Sequence, residues 1–259
     1  MPYDFDGDKY KLASRHQKEW GNEVISGLEL LGNERILDLG CGDGVLTGQL
    51  AELVPDGHVL GLDGSPGMIE TAMNLARGNL SFVCLDINDL DFRKEFDLIF
   101  SNAALHWVKD HVKLLDKCKR ALKANGRIRW SFGGFGNCSN LNETLMEEMG
   151  TPEFAPLFAG FQWPWYMPDI AEYAELLDRA GYSYHEITLV NADRYFENGE
   201  EITKWIDQPC IVPFLDHLKD EGLKTRFRNL VVTKMLERTA RADGTNFETF
   251  RRINVTAVK

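Results

Sequence analysis

The chain has 259 residues, 44% of them hydrophobic and 27% charged, a composition typical of a folded globular protein. Its formal net charge of -11 disfavours a nucleic-acid partner, because such binding depends on neutralising phosphates. The acidic N-terminus lacks the features of a secretory signal, no apolar run reaches the length of a membrane span, and the five cysteines show no metal-ligand spacing. We therefore expect a cytoplasmic protein with no membrane segment, no metal site and no nucleic-acid partner.

Short apolar runs alternate with amphipathic stretches through the first half of the chain, which predicts successive βα units and a parallel sheet. The predicted strands are residues 36–39, 59–63, 80–84, 96–100 and 127–132, and the predicted helices between them are residues 46–53, 67–76 and 114–123. Asn125-Gly126 predicts a stop between the third of these helices and the fifth strand.

The pattern changes after residue 133 to a glycine-rich run and an irregular aromatic segment, which we interpret as part of a cap on the ligand-binding side. The elements predicted beyond it are a helix over 169–180, a strand over 183–190, a helical stretch over 200–239 and a closing strand over 250–258. The predicted organisation is a segment 1–34, a ligand-binding core 35–133, a cap formed by 134–168 and 198–245, and the rest of the core sheet in 169–197 and 246–259.

A glycine-rich loop, Asp38-Leu39-Gly40-Cys41-Gly42-Asp43-Gly44, follows the first strand and precedes a helix. Glycines in such a turn let the backbone adopt special dihedral angles and let a ligand approach without a Cβ in the way. A pyrophosphate fingerprint would need a further glycine where this chain has Val45, and the chain has no Gly-Lys-Ser/Thr phosphate loop. The loop therefore disfavours a dinucleotide or a triphosphate.

Aspartates stand at the ends of the first three predicted strands. Asp38 can pair with a cationic ligand group, and Asp63 can accept hydrogen bonds from both hydroxyls of a ribose. Asp86 can accept from an exocyclic adenine amine, with Ile87 beside it for apolar contact. Together they predict a nucleoside ligand with a cationic amino-acid tail.

These residues resemble the motifs of class I S-adenosylmethionine-dependent methyltransferases, in register over residues 35–133. The segment Phe100-Ser101-Asn102-Ala103-Ala104-Leu105-His106-Trp107, followed by Asp110-His111, resembles the segment after strand four in the trans-aconitate methyltransferase group. Tyr10-x3-Ser14-x2-Gln17-x2-Trp20-Gly21, Trp205-Ile206 and Arg252 are similar to that group as well. A weaker resemblance therefore extends over nearly the whole chain.

The resemblance implies an α/β fold with a seven-stranded, Rossmann-like, doubly wound sheet, its last strand antiparallel, and a helical cap. It also implies S-adenosyl-L-methionine as cofactor, covered by an N-terminal helical segment over residues 1–34. The cofactor contacts that we expect are Asp38, Gly40, Cys41, Gly42, Asp63, Gly64, Met68, Asp86, Ile87, Asn102, Tyr10 and Gln17. For Tyr10 and Gln17, packing within the lid is the alternative.

Methyl transfer from a sulfonium depends mainly on alignment and on exclusion of water. We expect a small-molecule acceptor and favour a carboxylate, because it is ionised at neutral pH and needs no base. Methylation of a nitrogen, carbon or hydroxyl, and adenosylmethionine binding without methyl transfer, are the alternatives. His106 is the candidate base, and a packed loop histidine is its alternative reading.

Three tryptophans and one arginine are candidate acceptor contacts. Trp107, Trp165 and Trp205 can wall an apolar pocket, with a role in the core of the cap as the alternative. Arg252 follows from the resemblance and can bind a carboxylate bidentately, with a surface arginine as the alternative. Trp130 and Phe132 make the end of the fifth strand bulkier than we expect for a tricarboxylate site, which argues against trans-aconitate itself. We expect a monomer or a weak homodimer.

Overall fold

The computed structural model describes the backbone of residues 15–259 and the side chains of residues 18–208 and 210–259. The strands are β1 (Arg35–Leu39), β2 (His58–Asp63), β3 (Leu80–Cys84), β4 (Phe96–Asn102), β5 (Leu122–Gly133), β6 (Tyr184–Asn191), β7 (Arg194–Phe196), β8 (Asn246–Glu248) and β9 (Arg251–Val258). The helices are α1 (Arg15–Ser26), α2 (Val45–Leu53), α3 (Pro66–Ala72), α4 (His111–Ala121), α5 (Ser139–Met149), α6 (Ile170–Ala180), α7 (Gly199–Trp205), α8 (Val212–His217) and α9 (Glu221–Thr239). No helix in this part of the chain is both long and apolar enough to cross a bilayer.

The main sheet has seven strands in the order β3-β2-β1-β4-β5-β9-β6. Neighbouring strands from β3 to β5 pair in parallel, and β9 pairs antiparallel with β5. The predicted seven-stranded sheet with an antiparallel last strand is thus confirmed. The strand order reverses between β1 and β4, and ligands of open α/β sheets bind beyond the carboxyl ends of the strands at such a point.

The central strands are covered on both faces, which explains their continuous apolar runs. Alternate residues of β1 enter different cores: Ile36 packs with residues of α1 and α2, whereas Leu37 and Leu39 pack with residues of α4 and α6. Helices on both faces make the sheet doubly wound.

The predicted boundary between the third helix and the fifth strand was wrong. α4 ends at Ala121, and β5 begins at Leu122 and runs through Asn125-Gly126. The partner of β4 jumps from Leu122 to Arg127, so the intervening residues form an irregularity within β5. Asn125 has φ 61°, a left-handed conformation that asparagine tolerates, so the Asn-Gly pair is accommodated inside the strand.

The chain divides into two compact units. Unit 1, which contains the seven-stranded sheet, comprises 15–135, 165–190 and 252–259 of the described residues, and unit 2 comprises 136–164 and 191–251. Unit 2 contains α5, α7, α8, α9 and a two-stranded sheet of β7 and β8. Part of its core is aromatic, with Phe227 lying 5.0 Å from Phe154 and 5.1 Å from Phe158 between ring centroids.

The single helical stretch predicted over 200–239 was wrong. α7 is followed by a kinked segment, Ile206–Cys210, and then by α8 and α9 as separate helices. Gln208 has φ -149° and ψ 111°. A residue before a proline is pushed out of the helical region, and Pro209 follows. Asp220 caps α9 by accepting a hydrogen bond from Leu223 N at 2.9 Å, so a new helix starts there.

Candidate functional site

The glycine-rich loop lies between β1 and α2 and is anchored to β2. The amides of Gly40 and Cys41 both donate to the carbonyl of Leu62, at 2.8 and 2.9 Å. Gly40 has φ +72°, and a Cβ there would stand 2.2 Å from the Cβ of Ala104, so only glycine fits. Gly42 has φ +55°, and a Cβ there would meet no heavy atom within 4 Å. The loop therefore packs tightly against the turn after β4 but is open on the side of Gly42.

Asp63, at the end of β2, organises this loop. Its two carboxylate oxygens accept hydrogen bonds from Gly42 N at 3.0 Å and from Ser65 N at 2.9 Å. Burial raises the pKa of Asp63, while the amides of Ser65, Gly42 and Gly64 oppose that rise. A carboxylate oxygen has room for more than one hydrogen bond, so Asp63 can also accept from ligand hydroxyls.

Asp38 is buried at the end of β1, with 2% of its surface exposed. It accepts a hydrogen bond from Thr47 Oγ1 at 2.7 Å. Burial raises its pKa to about 7, with a further contribution from the charge of Asp63, although the Thr47 hydrogen bond opposes the rise. A cationic group beside Asp38 would favour its ionised form, because an opposite charge lowers a carboxyl pKa.

Several predicted cofactor residues line one pocket in unit 1. The lining consists of Lys18, Asp38, Gly40, Cys41, Gly42, Asp43, Leu46, Phe100, Asn102 and Ala103. Sequence reasoning missed Lys18 as a pocket residue; its Nζ lies 2.8 Å from the carboxylate of Asp43, an ion pair that ties α1 to the loop. The only sequence signal for this pair is the opposite charge of Lys18 and Asp43, which lie 25 residues apart in the chain.

Of the other predicted cofactor residues, Ile87 lies beside Gly40, which lines the pocket. Asp86 accepts from the backbone and side-chain nitrogens of Asn88 at 2.8 and 2.9 Å, and Ile87 Cδ1 would lie 3.9 Å from a Cβ at Gly40. Met68 is buried in α3. Tyr10 lies outside the described residues, as does the side chain of Gln17. Their roles stay predictions.

Arg252, the second residue of β9, is a buried cation beside the pocket residue Asn102. Only 4% of its surface is exposed, so the alternative of a surface arginine was wrong. Its Nη2 donates to Asn102 Oδ1 at 2.9 Å and to Ser131 O and Oγ at 2.7 and 3.0 Å. Its Cζ lies 4.8 Å from the ring centroid of Trp20, a cation–π contact. Three elements besides β9 therefore fix this guanidinium.

His106 lies in a short helical turn, Leu105–Trp107, after β4. Its Nδ1 is buried and has no hydrogen-bond partner among the side chains and backbone that the structure describes. Burial, followed by the positive charge of Arg252 and by electrostatic repulsion from His111 when that residue is protonated, lowers its pKa to about 3. The imidazole is therefore neutral at neutral pH and a weak proton acceptor.

The candidate tryptophans divide between the two units. In unit 1, Trp107 lies 5.7 Å from Trp165 and 5.5 Å from His106 between ring centroids. In unit 2, Trp205 is 3% exposed and packs against Phe196 and Phe250 at 5.5 and 5.4 Å. Trp107 and Trp165 form an aromatic wall beside the turn after β4. Trp205 instead packs in the core of unit 2.

The bulk expected from Trp130 and Phe132 at the end of β5 was wrongly placed. Both side chains are fully buried in the core of unit 1. Strand residues alternate between faces, so Ser131, which contacts Arg252, faces the other way. The two rings therefore give no reason to exclude a tricarboxylate.

Residues 36–126 match a family model described as a methyltransferase domain. The chain is 30% identical to trans-aconitate 2-methyltransferase of Rhodococcus jostii over 98% of both chains. It is 28% identical to an uncharacterized methyltransferase of Schizosaccharomyces pombe over 100% of both chains. The solved structure of Haemonchus contortus phosphoethanolamine N-methyltransferase 2, in complex with phosphomonomethylethanolamine and S-adenosylhomocysteine, shares the fold with a TM-score of 0.62, at 19% identity and over 98% of this chain and 56% of that chain.

Proposed function

Because this chain belongs to the family of class I S-adenosylmethionine-dependent methyltransferases, we propose that it methylates a carboxylate oxygen of a small-molecule acceptor. Its cofactor is S-adenosylmethionine, and its reaction is transfer of a methyl group. The same fold serves many acceptors, so the choice of acceptor has to be argued from the residues near the turn after β4.

The loop residues fit the chemical parts of the cofactor. Asp63 has acceptor capacity for the ribose hydroxyls, and the buried Asp38 suits the cationic amino-acid part. The open side of Gly42 leaves space where a Cβ would otherwise project. When bound, the cofactor supplies an electrophilic methyl group on a sulfonium.

The observation that carries the acceptor assignment is the buried guanidinium of Arg252. Hydrogen bonds to Asn102 and Ser131 fix its position, and its positive charge contributes to lowering the pKa of His106. Arginine is the side chain best suited to bind a carboxylate, since its planar fork donates two parallel hydrogen bonds. An anionic acceptor would therefore be held near this part of the site.

A carboxylate acceptor also agrees with the weak basicity of His106. The acceptor oxygen forms the bond to the methyl carbon with its own electron pair, and the electron pair of the broken carbon–sulfur bond stays on sulfur, so no proton has to move. An ammonium or a hydroxyl acceptor would need a proton acceptor, and a histidine with a pKa of about 3 serves poorly. The task of the chain is then to orient the acceptor and to exclude water, to which the wall of Trp107 and Trp165 would contribute.

Production of S-adenosylhomocysteine should be measured against a panel of mono-, di- and tricarboxylic acids, amines and phenols. Trans-aconitate belongs in the panel because the Rhodococcus jostii relative bears its name. We expect turnover with one or more carboxylates, and preferential turnover of an amine or a phenol would overturn the proposed acceptor.

Two matched carboxylate variants locate the activity. Asp63→Ala should abolish turnover, since Asp63 organises the donor loop. Asp97→Ala is the matched control, since Asp97 likewise accepts a hydrogen bond from a backbone amide, that of Arg35. It should keep turnover, because Asp97 lies near the amino end of β4, whereas the donor loop lies at the carboxyl ends of the strands. Equal loss in both variants would contradict the assignment of the donor site.

A further inference from the structure

A buried histidine links α6 to the turn that carries His106 and Trp107. His111 is 2% exposed and Tyr173 is fully buried. The Nε2 of His111 lies 3.0 Å from the carbonyl oxygen of Leu105, and its Nδ1 lies 2.9 Å from the hydroxyl of Tyr173. Because a carbonyl can only accept, Nε2 carries the proton, and Nδ1 accepts the hydrogen bond from the Tyr173 hydroxyl.

The same turn is held at the next residue as well. The amide of Tyr166 donates to the carbonyl of His106 at 2.8 Å. The ring of Tyr166 lies 4.7 Å from the imidazole of His111, which also packs against Phe132 at 5.5 Å. Consecutive carbonyls of the turn, those of Leu105 and His106, are therefore fixed from outside the turn.

We propose that His111 and Tyr173 are positioning residues for methyl transfer, which hold the turn after β4 so that its Trp107 faces the acceptor in one geometry. This role rests on the proposed function, since it presupposes that the acceptor lies at this turn. Misplacement of a catalytic group by about 1 Å can lower the rate about a hundredfold. Loss of the buried hydrogen-bond relay from Tyr173 through His111 to Leu105 can therefore lower the rate measurably.

The relay keeps one protonation state through the neutral range. Burial lowers the pKa of His111 to about 4, although the carbonyls of Leu105 and Val108 and the charge of Asp110 oppose this. A neutral imidazole is the form that can accept from Tyr173 while donating to Leu105. The turn should therefore be held in the same way throughout the neutral pH range.

Two tyrosines of the same core provide a matched test. Tyr173→Phe removes only the hydroxyl that donates to His111. Tyr182→Phe removes a hydroxyl, on a side chain 6% exposed, that donates to Leu115 O at 3.2 Å and has no hydrogen bond to His111 or the turn in the described structure. The measured quantities are kcat with the best acceptor of the panel, whatever its class, and the dissociation constant for S-adenosylmethionine.

We expect Tyr173→Phe to lower kcat by about tenfold and His111→Phe by about a hundredfold, with cofactor affinity changed less than about twofold. His111→Gln offers an amide donor to Leu105 and should restore part of the loss. Tyr182→Phe should keep the wild-type kcat even if its thermal stability falls as far as that of Tyr173→Phe. Equal effects of the two tyrosine variants on kcat, or none from Tyr173→Phe, would overturn the proposal.

A second readout does not depend on turnover. In nitrogen-15 NMR spectra, the wild-type His111 should give one protonated and one unprotonated ring nitrogen, and Tyr173→Phe should shift the signals of both His111 and His106. Tyr182→Phe should leave them unchanged. If the panel yields no turnover, the acceptor proposal fails, but the spectra still test whether Tyr173 and His111 hold the turn. A change in the signals of His111 alone, or no change at all, would overturn the positioning role.

Discussion

The Nη2 atom of Arg252 lies 2.9 Å from the side-chain oxygen of Asn102, so a charge-assisted hydrogen bond joins β9 to the residue at which β4 ends. Asn102 also lines the pocket of the donor loop. The residue that we assign to the acceptor therefore touches a residue of the donor pocket directly. Substitution of Arg252 should change the affinity for the acceptor most and the affinity for the cofactor less.

Arg252→Met should raise KM for a carboxylate acceptor by about tenfold to a hundredfold, because a hydrogen bond to a charged group contributes about 1.5–3 kcal/mol. The dissociation constant of the cofactor should change less. Arg252→Lys keeps the charge but loses the planar fork, so its KM should lie between those of Arg252→Met and the wild type.

Arg129→Met is the matched control for that change. Arg129 is a half-buried arginine of β5, whose Nη1 donates to Thr256 Oγ1 at 3.3 Å, and neither residue lines the pocket of the donor loop. Steady-state kinetics with the acceptor varied at saturating cofactor distinguish the two. A similar rise in KM for Arg129→Met would indicate general damage to the sheet and contradict the role of Arg252.

His106→Asn tests whether the reaction uses a base. With a pKa of about 3, His106 should contribute no ionisation to the kinetics between about pH 5 and 8, and the variant should keep most of kcat with a carboxylate acceptor. Loss of a general base would instead lower the rate by about a hundredfold or more and remove a limb of the pH profile. Rate against pH for both proteins gives the answer.

The donor half of the site could be predicted because its residues are set by local structure. Asp38, Gly40 and Gly42 belong to one strand-loop segment, and Asp63 ends the next strand, so parallel pairing brings them to the same edge. The pairs Lys18–Asp43 and His111–Tyr173 could not be found in this way. They join segments 25 and 62 residues apart, and only the packing of helices on the sheet brings them together.

In the fold, too, features set by local sequence could be predicted, and features that depend on distant segments could not. The apolar runs of β1, β2 and β4 predicted the central strands within one or two residues, because buried parallel strands have a strong signal. The start of β5 was missed because the irregularity around Asn125 depends on pairing with β4. The break at Gln208 was missed although Pro209 marks it, since helices lie on both sides of it.

Two glycine-to-alanine variants separate close approach from helix propensity. In Gly40→Ala the new Cβ would stand 2.2 Å from Ala104 Cβ at a residue with φ +72°, so the loop or the turn after β4 must move. We expect at least a tenfold loss of cofactor affinity. Gly48→Ala, within α2, meets no heavy atom within 4 Å and should raise the free energy of unfolding by about 0.5–1 kcal/mol. Titration calorimetry and thermal denaturation measure these effects, and unchanged affinity in Gly40→Ala would contradict the site.

Asp38 should make cofactor binding depend on pH. Its pKa of about 7 in the chain lies above the ordinary value of 3.8, so at about pH 6 most of the protein has a neutral side chain where a cation is to bind. Affinity for S-adenosylmethionine should therefore rise with pH by up to about tenfold per unit below pH 7 and level off above it. Asp38→Asn should bind weakly at every pH, with this dependence removed, and a pH-independent wild-type affinity would contradict the assignment.

The same raised pKa predicts an opposite effect on stability. The folded chain holds the Asp38 proton more tightly than the unfolded chain, so the cofactor-free protein should lose up to about 1.4 kcal/mol of stability from this group for each pH unit between about 4 and 7. Asp38→Asn retains an acceptor for Thr47 without the buried charge, and should melt at a higher temperature than the wild type at about pH 8 while binding cofactor less tightly. A lower melting temperature of the cofactor-free variant at that pH would mean that the ionised Asp38 stabilises the fold, and would place its stabilising partner within the chain rather than on the ligand.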